Sequence, residues 1–149
     1  MASYLENTKA RFDYEILDTY EAGIELFGFE VKSVRQGKGG ITGAHAIVRG
    51  GEVFLVGMRI DPYQPENTDP AYDSLRTRKL LLKKKEIYEL EELDEKKGLT
   101  LVPLSLYNKN GKVKVSIAVA RGKKKFDKRE TIKKRDTDRD LRRLVKRSK

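Results

Sequence analysis

Glu30-Val31-Lys32 is the triplet in this sequence that most resembles hydrolytic machinery. In metal-dependent nucleases, an E-x-K half-site has carboxylates that hold a divalent ion and a lysine that stabilises developing charge. Asp13 and Asp18 would complete such a set here. The triplet is common, however, and the spacing around it predicts a helix, not a strand of a mixed sheet. The single histidine, His45, falls in a predicted strand with no Ser or Asp constellation beside it. Metal-ligand spacing is missing, and the absence of Cys excludes a thiolate zinc site or thiol nucleophile. Gly37-Lys38-Gly39-Gly40 lacks the G-x-x-x-x-G-K-[ST] spacing of a phosphate loop and follows a predicted helix instead of preceding one. The expectation is a protein that is not an enzyme, with no metal and no cofactor.

Binding chemistry is better represented. Tyr14, Tyr20, Phe29, Tyr63, Tyr72 and Tyr107 could offer faces on which bases stack, although aromatic residues in so small a domain usually build its core. Arg76, Arg78 and Lys79 are more specific, because guanidinium groups pair with phosphates through two hydrogen bonds and also stack on bases.

Charge is distributed unevenly. Residues 121–149 carry 15 Lys or Arg and 5 Asp or Glu, a net +10, so residues 1–120 hold 18 of each sign and net zero. A neutral body with a cationic arm suggests a folded module and a polyanion-binding extension, although such arms also serve solubility alone. With 149 residues, 38% of them hydrophobic, the chain can build one modest core. No apolar run resembles a signal peptide or spans a bilayer, and the expectation is a soluble, cytoplasmic, monomeric protein.

The elements that would position these residues are mostly strands. Residues 12–17 predict a strand of imperfect alternation, resuming at Ile24 and Leu26 after Glu21-Ala22-Gly23. Phe27, Val31 and Val34 predict a short helix over 28–35, stopped by the glycines at 37–40. A hairpin follows, with strands over 45–49 and 52–58 joined by Gly50-Gly51. Residues 61–74 read as a long loop, and 80–97 as a helix ended by Gly98, with Lys96 and Lys97 at its last turn. The last hairpin pairs 99–107 with 112–121 across Asn110-Gly111, and Val113, Val115, Ile117 and Val119 face one way. Five or six strands with one helix between them predict a mostly β body over 1–121. The best fit is a small OB-fold-type closed barrel with one or two helices, and a basic tail over 122–149 that is disordered alone and helical when bound.

Five segments resemble the SmpB family in order and spacing. They are Glu21-Ala22-Gly23-Ile24; Glu30-Val31-Lys32-Ser33 with Arg35 and Gly37-Lys38; Arg78-Lys79-Leu80-Leu81-Leu82; Gly98-Leu99-Thr100-Leu101-Val102-Pro103-Leu104; and Gly122-Lys123-Lys124 with Asp127-Lys128-Arg129. The resemblance implies an OB-type barrel that binds the tRNA-like domain of tmRNA and stands where an anticodon arm would. It further implies a basic tail that enters the decoding centre and empty mRNA channel of a stalled ribosome, against small-subunit rRNA, so that the nascent chain is tagged.

By position, Asn7, Glu21 and Leu81 match family residues tied to tmRNA binding. Arg11, Tyr14, Lys32, Arg35, Lys38, Arg76, Arg78 and Lys79 are the further expected contacts. Glu21 could accept from base amino groups, orient a nearby Arg, or be an internal structural carboxylate. Leu81 would pack on a base or support the surface. In the tail, Gly122, Lys123, Lys124, Asp127, Lys128, Arg129, Lys133, Lys134 and Arg135 would engage the ribosome, with Gly122 as hinge and Asp127 capping the bound helix. The sequence departs from the family in lacking prolines near Asp73-Ser74-Leu75-Arg76-Thr77-Arg78-Lys79, and in carrying Phe126 and Gly43.

Overall fold

A computed structural model describes residues 3–96 and 98–123. Nine strands and three α-helices follow in the order β1 Ser3–Glu6, α1 Thr8–Asp13, β2 Tyr14–Ile24, α2 Gly28–Arg35, β3 Gly39–Gly40, β4 His45–Arg49, β5 Glu52–Val56, β6 Arg59–Ile60, β7 Arg78–Leu81, α3 Lys84–Asp94, β8 Leu99–Lys109 and β9 Lys112–Gly122. The body is mostly β, as expected, but the described residues hold nine strands and three α-helices where the sequence predicts five or six strands and one or two helices. Its main sheet runs β1-β8-β4-β5-β7-β2-β9, and β9 also pairs with β8. The pairings from β8 through β4, β5, β7, β2 and β9 therefore return to β8. The two-residue strands β3 and β6 pair separately.

Turn chemistry decides the two tight hairpins. Asn110 and Gly111 adopt φ of 53° and 77° between β8 and β9, and Gly50 and Gly51 adopt 58° and 74° between β4 and β5. Positive φ at both central positions matches the right-handed twist of the flanking strands.

Two β-bulges give the sheet two apolar faces. The register of β2 against β9 shifts between Ile16 and Asp18, and that of β8 against β9 shifts between Pro103 and Ser105. One extra residue turns the later side chains to the opposite face. Val113, Val115, Ile117 and Val119 of β9 join the inner cluster with Ala22, Val53, Leu55, Leu80, Leu101 and Leu106. On the other face, Ala118 and Ala120 join Val102, Leu104 and Ala10 in a second cluster under α1, with Tyr14 and Ile16 against it.

Two expected elements are corrected. Residues 12–17 are not a strand from their start: α1 ends at Asp13, and β2 runs unbroken from Tyr14 through Glu21-Ala22-Gly23 to Ile24. The irregular alternation there reflects the bulge. The predicted helix over 80–97 begins too early. Residues 78–81 form β7 between β5 and β2, and the helix starts at Lys84. The Leu80-Leu81-Leu82 run fits either a strand or a helix by periodicity, and tertiary pairing selects the strand. Strand β1, too short to show a periodicity in the sequence, adds to the edge of β8. Helix α2 and both hairpins lie where the sequence puts them.

Candidate functional site

Glu30 sits on the inner side of α2 with no exposed surface. Its Oε1 accepts from the Phe27 amide at 2.8 Å, closing the first turn of the helix, and also from Arg76 Nη2. Its Oε2 accepts from Arg78 Nη2 at 2.6 Å, Arg78 Nε at 3.0 Å and the Tyr72 hydroxyl at 2.8 Å. Burial would push this carboxyl up. The hydrogen bonds from Arg76, the Phe27 amide, Arg78 and Tyr72 outweigh it and leave the group below its ordinary value. Burial and then Glu30 push the Tyr72 hydroxyl up to about 12.

The metal-nuclease reading of Glu30 fails on this geometry, because both oxygens are already committed to cations and donors. Arg78 is likewise corrected. It is completely buried and its remaining donors go to the carbonyls of Met58, Arg76 and Ser74, so it is a core residue and not a phosphate contact. Arg76 keeps partial exposure, and its guanidinium carbon stacks 3.9 Å from the centroid of the exposed Phe27 ring.

A second group gathers on the outer face of β2, β9 and β8. Glu21 Oε2 accepts from the Tyr107 hydroxyl at 2.6 Å, and Oε1 accepts from Lys109 Nζ at 3.0 Å. These bonds, first from Tyr107 and then from Lys109, hold the Glu21 carboxyl below its usual range. Burial and the facing carboxylate push Tyr107 up.

Two residues further along β2, Gly23 leaves no Cβ in the way. A methyl there would lie 3.3 Å from Leu81 Cβ and 3.6 Å from Lys114 Nζ. Leu81 is about half exposed beside it, an apolar side chain in a cationic setting. Arg35 reaches this region from α2, its Nη2 donating to the Gly111 carbonyl at 3.0 Å. The structure thus brings Glu21, Leu81 and Arg35 to one side of the molecule and adds Tyr107, Lys109 and Lys114. Neither lysine was singled out from sequence. The pairing of β9 with both β2 and β8 would have found them, had the register been known. Lys79 lies nearer β5, paired with Glu52 at 3.2 Å.

The other expected contacts fall elsewhere. Asn7 is 2% exposed, so it is corrected from a contact to a structural residue. Its Oδ1 caps α1 through the Ala10 amide at 3.1 Å, and its Nδ2 donates to the Pro103 carbonyl at 2.8 Å. Arg11 is exposed on α1, and Tyr14 is half-buried against the outer cluster. Lys32 and Lys38 approach the Tyr63 ring, their Nζ atoms 5.7 and 5.5 Å from its centroid.

Gly122 is paired with Tyr14 in β9, and the Lys123 amide donates to the Asp13 carbonyl at 2.9 Å, so Gly122 is a strand residue and not a hinge. The expected tail contacts Lys124, Asp127, Lys128, Arg129, Lys133, Lys134 and Arg135, together with Phe126 and Lys97, lie outside the described residues.

A family model described as SmpB protein matches residues 4–147. The chain belongs to the SmpB family. The resemblance read from five short segments is therefore sound. An SsrA-binding protein of Gloeothece citriformis is 53% identical over 142 residues, covering 95% of this chain and 92% of its own. One of Clostridium botulinum strain Hall is 53% identical over 141 residues, covering 95% and 90%. Among solved structures, a chain from "tmRNA-SmpB: a journey to the center of the bacterial ribosome" matches with a TM-score of 0.67 at 48% identity, covering 85% of this chain and 92% of that one. The two SsrA-binding proteins are matched over nearly the whole chain.

Proposed function

We propose that this protein is an RNA-binding adaptor of trans-translation. It binds the tRNA-like domain of tmRNA, replaces the anticodon arm, and places its basic tail in the decoding centre and mRNA channel of a stalled ribosome. The observation that carries this reading is the 53% identity, over 95% of the chain, to proteins named for SsrA binding. Such an adaptor makes and breaks no bonds, acts in the cytoplasm as a monomer, and needs neither metal nor cofactor. The ring of pairings among β8, β4, β5, β7, β2 and β9 is consistent with an OB-type barrel.

Glu21, Leu81, Arg35, Lys109 and Lys114 form the face we assign to tmRNA, with Lys32, Lys38, Arg76 and Lys79 extending it. Cations there would meet phosphates, and Leu81 would pack against a base. The body recognises RNA, while the basic residues beyond it meet rRNA phosphates, where their mutual repulsion is neutralised. Gly122 and Lys123 are pinned to β2 and α1, so the body extends to Lys123.

Affinity for a tRNA-like domain transcript, compared with a single strand of equal length at fixed salt, tests the recognition step. A clear preference for the folded RNA is expected, and equal affinity would reduce the protein to a general nucleic-acid binder. Truncation after Lys123 should preserve most of that affinity while abolishing tagging of stalled chains. Loss of RNA binding in the truncated chain would refute the division of labour.

A further inference from the structure

A cleft of about 700 Å³ opens between α2 and the 61–75 segment, at the Lys32 end of the face assigned to tmRNA and lined by none of Glu21, Leu81, Arg35, Lys109 or Lys114. Its walls carry four aromatic rings, Phe27, Phe29, Tyr63 and Tyr72. Phe29 meets Tyr72 edge-on with centroids 4.9 Å apart, and Phe27 lies 5.7 Å from Phe29. Two ammonium groups, Lys32 and Lys38, stand near the Tyr63 ring at 5.7 and 5.5 Å. Among the described residues neither lysine has an ion-pair partner, and the neighbouring Asp61 is taken by Arg59 at 3.1 Å. Asp69 is the acid in the lining, and its Oδ1 accepts from its own segment, the Ala71 amide at 2.9 Å.

The cleft is preformed. The Glu30, Arg76, Arg78 and Tyr72 network fixes the Tyr72 wall to α2, and the Tyr72 hydroxyl also meets the Ile60 carbonyl at 3.0 Å. Buried charges of this kind seldom raise stability over apolar packing of the same volume. Holding a long loop in one arrangement is what this network does visibly. A rigid aromatic slot with unpaired cations at one ring suits a flat ring bearing a phosphate.

We propose that this cleft takes one unstacked nucleotide of the bound RNA, its base against Tyr63 and Phe29 and its phosphate between Lys32 and Lys38. The proposal rests on the RNA-binding function inferred above and adds a base-stacking subsite to it. Base-on-ring stacking tolerates any of the four bases, so the slot reads an unpaired position in the folded RNA and not a sequence.

The test titrates the full chain with a tRNA-like domain transcript at several salt concentrations, as wild type, Tyr63→Leu and Lys38→Gln. Tyr63→Leu retains apolar bulk but loses the stacking face, and a loss of affinity of roughly five- to hundredfold is expected. Lys38→Gln should lower the slope of log affinity against log salt by about 0.7 to 0.9, the contribution of one phosphate contact. Lys38 is exposed, so this variant reports even where Tyr63→Leu disturbs the loop. Ultraviolet cross-linking to the same RNA should mark the peptide holding Tyr63. Wild-type affinity and salt slope in both variants, with no cross-link there, would overturn the subsite and leave the RNA-binding function standing. No binding of the transcript by the wild type would overturn both.

Discussion

Tyr107 and Glu21 are hydrogen-bonded across an intervening strand. Glu21 belongs to β2 and Tyr107 to β8, and β9 runs between them with Ser116 paired to Glu21 and Lys114 paired to Tyr107. The Tyr107 hydroxyl donates to Glu21 Oε2 at 2.6 Å across that strand. The groups bonded to Glu21 are Tyr107 and Lys109, where the sequence suggested a base amino group, a nearby Arg or an internal structural role.

Removing the hydroxyl should therefore be felt at the carboxylate. In Tyr107→Phe, the Glu21 carboxyl is expected to rise toward its ordinary value near 4.5, because its strongest hydrogen bond is gone and only the Lys109 and Lys114 ammonium groups still favour the charged form. A carboxyl-carbon NMR titration measures this directly. An unchanged Glu21 titration would show that the contact has no hold on it. Thermal unfolding should change little, since the pair lies on the surface.

Glu30→Gln should destabilise the protein by about 3–5 kcal/mol, because Arg78 would be left buried beside a neutral amide. Urea unfolding at neutral pH reads the loss. Its pH dependence has a definite sign. The folded carboxyl titrates below its ordinary 4.5, so the stability it contributes is complete above that value. That stability is lost as pH falls below 4.5 and through the folded-state value. The difference between wild type and Glu30→Gln should shrink over this acid range, and a constant difference would contradict the assignment.

Asn7→Ala should cost about 1–3 kcal/mol, combining a lost helix cap with a Pro103 carbonyl left without its donor. With 2% exposure, Asn7 cannot form a broad contact with RNA. The affinity of the folded fraction should stay near wild type when measured well below the unfolding temperature. A large affinity loss in fully folded protein would restore Asn7 as a contact.

Local signals carried much of the fold. Asn110-Gly111 and Gly50-Gly51 declare their turns because few residues tolerate left-handed φ at two adjacent positions. The 27, 31 and 34 spacing marks α2 because three and four residues complete a helical turn. Long-range pairing was not legible. Residues 80–82 suit helix or strand equally, and only β5 and β2 on either side decide for the strand. The bulges hid the two-faced role of β2 and β8, since a single extra residue breaks the alternation that reveals a buried face. For the candidate face, motif resemblance named Glu21, Leu81 and Arg35, which the fold places on one side, but it could not separate Arg78 from Arg76. The two differ in burial, which depends on where Glu30 lies. Lys109 and Lys114 look like ordinary hairpin lysines until the register places them beside Glu21 and Gly23.

The bulges at Leu17 and Leu104 have a consequence for sequence change in β9. From Ile117 to Ala120 every side chain is buried, alternately among the inner residues and under α1. No position in that stretch can drift toward a polar identity, because neither direction leads to water. Deleting a single residue there would exchange the occupants of the two compartments, forcing Ile and Val into space shaped for Ala and leaving Ala to fill the space of Ile. This four-residue stretch should therefore tolerate length changes less well than any loop in the molecule.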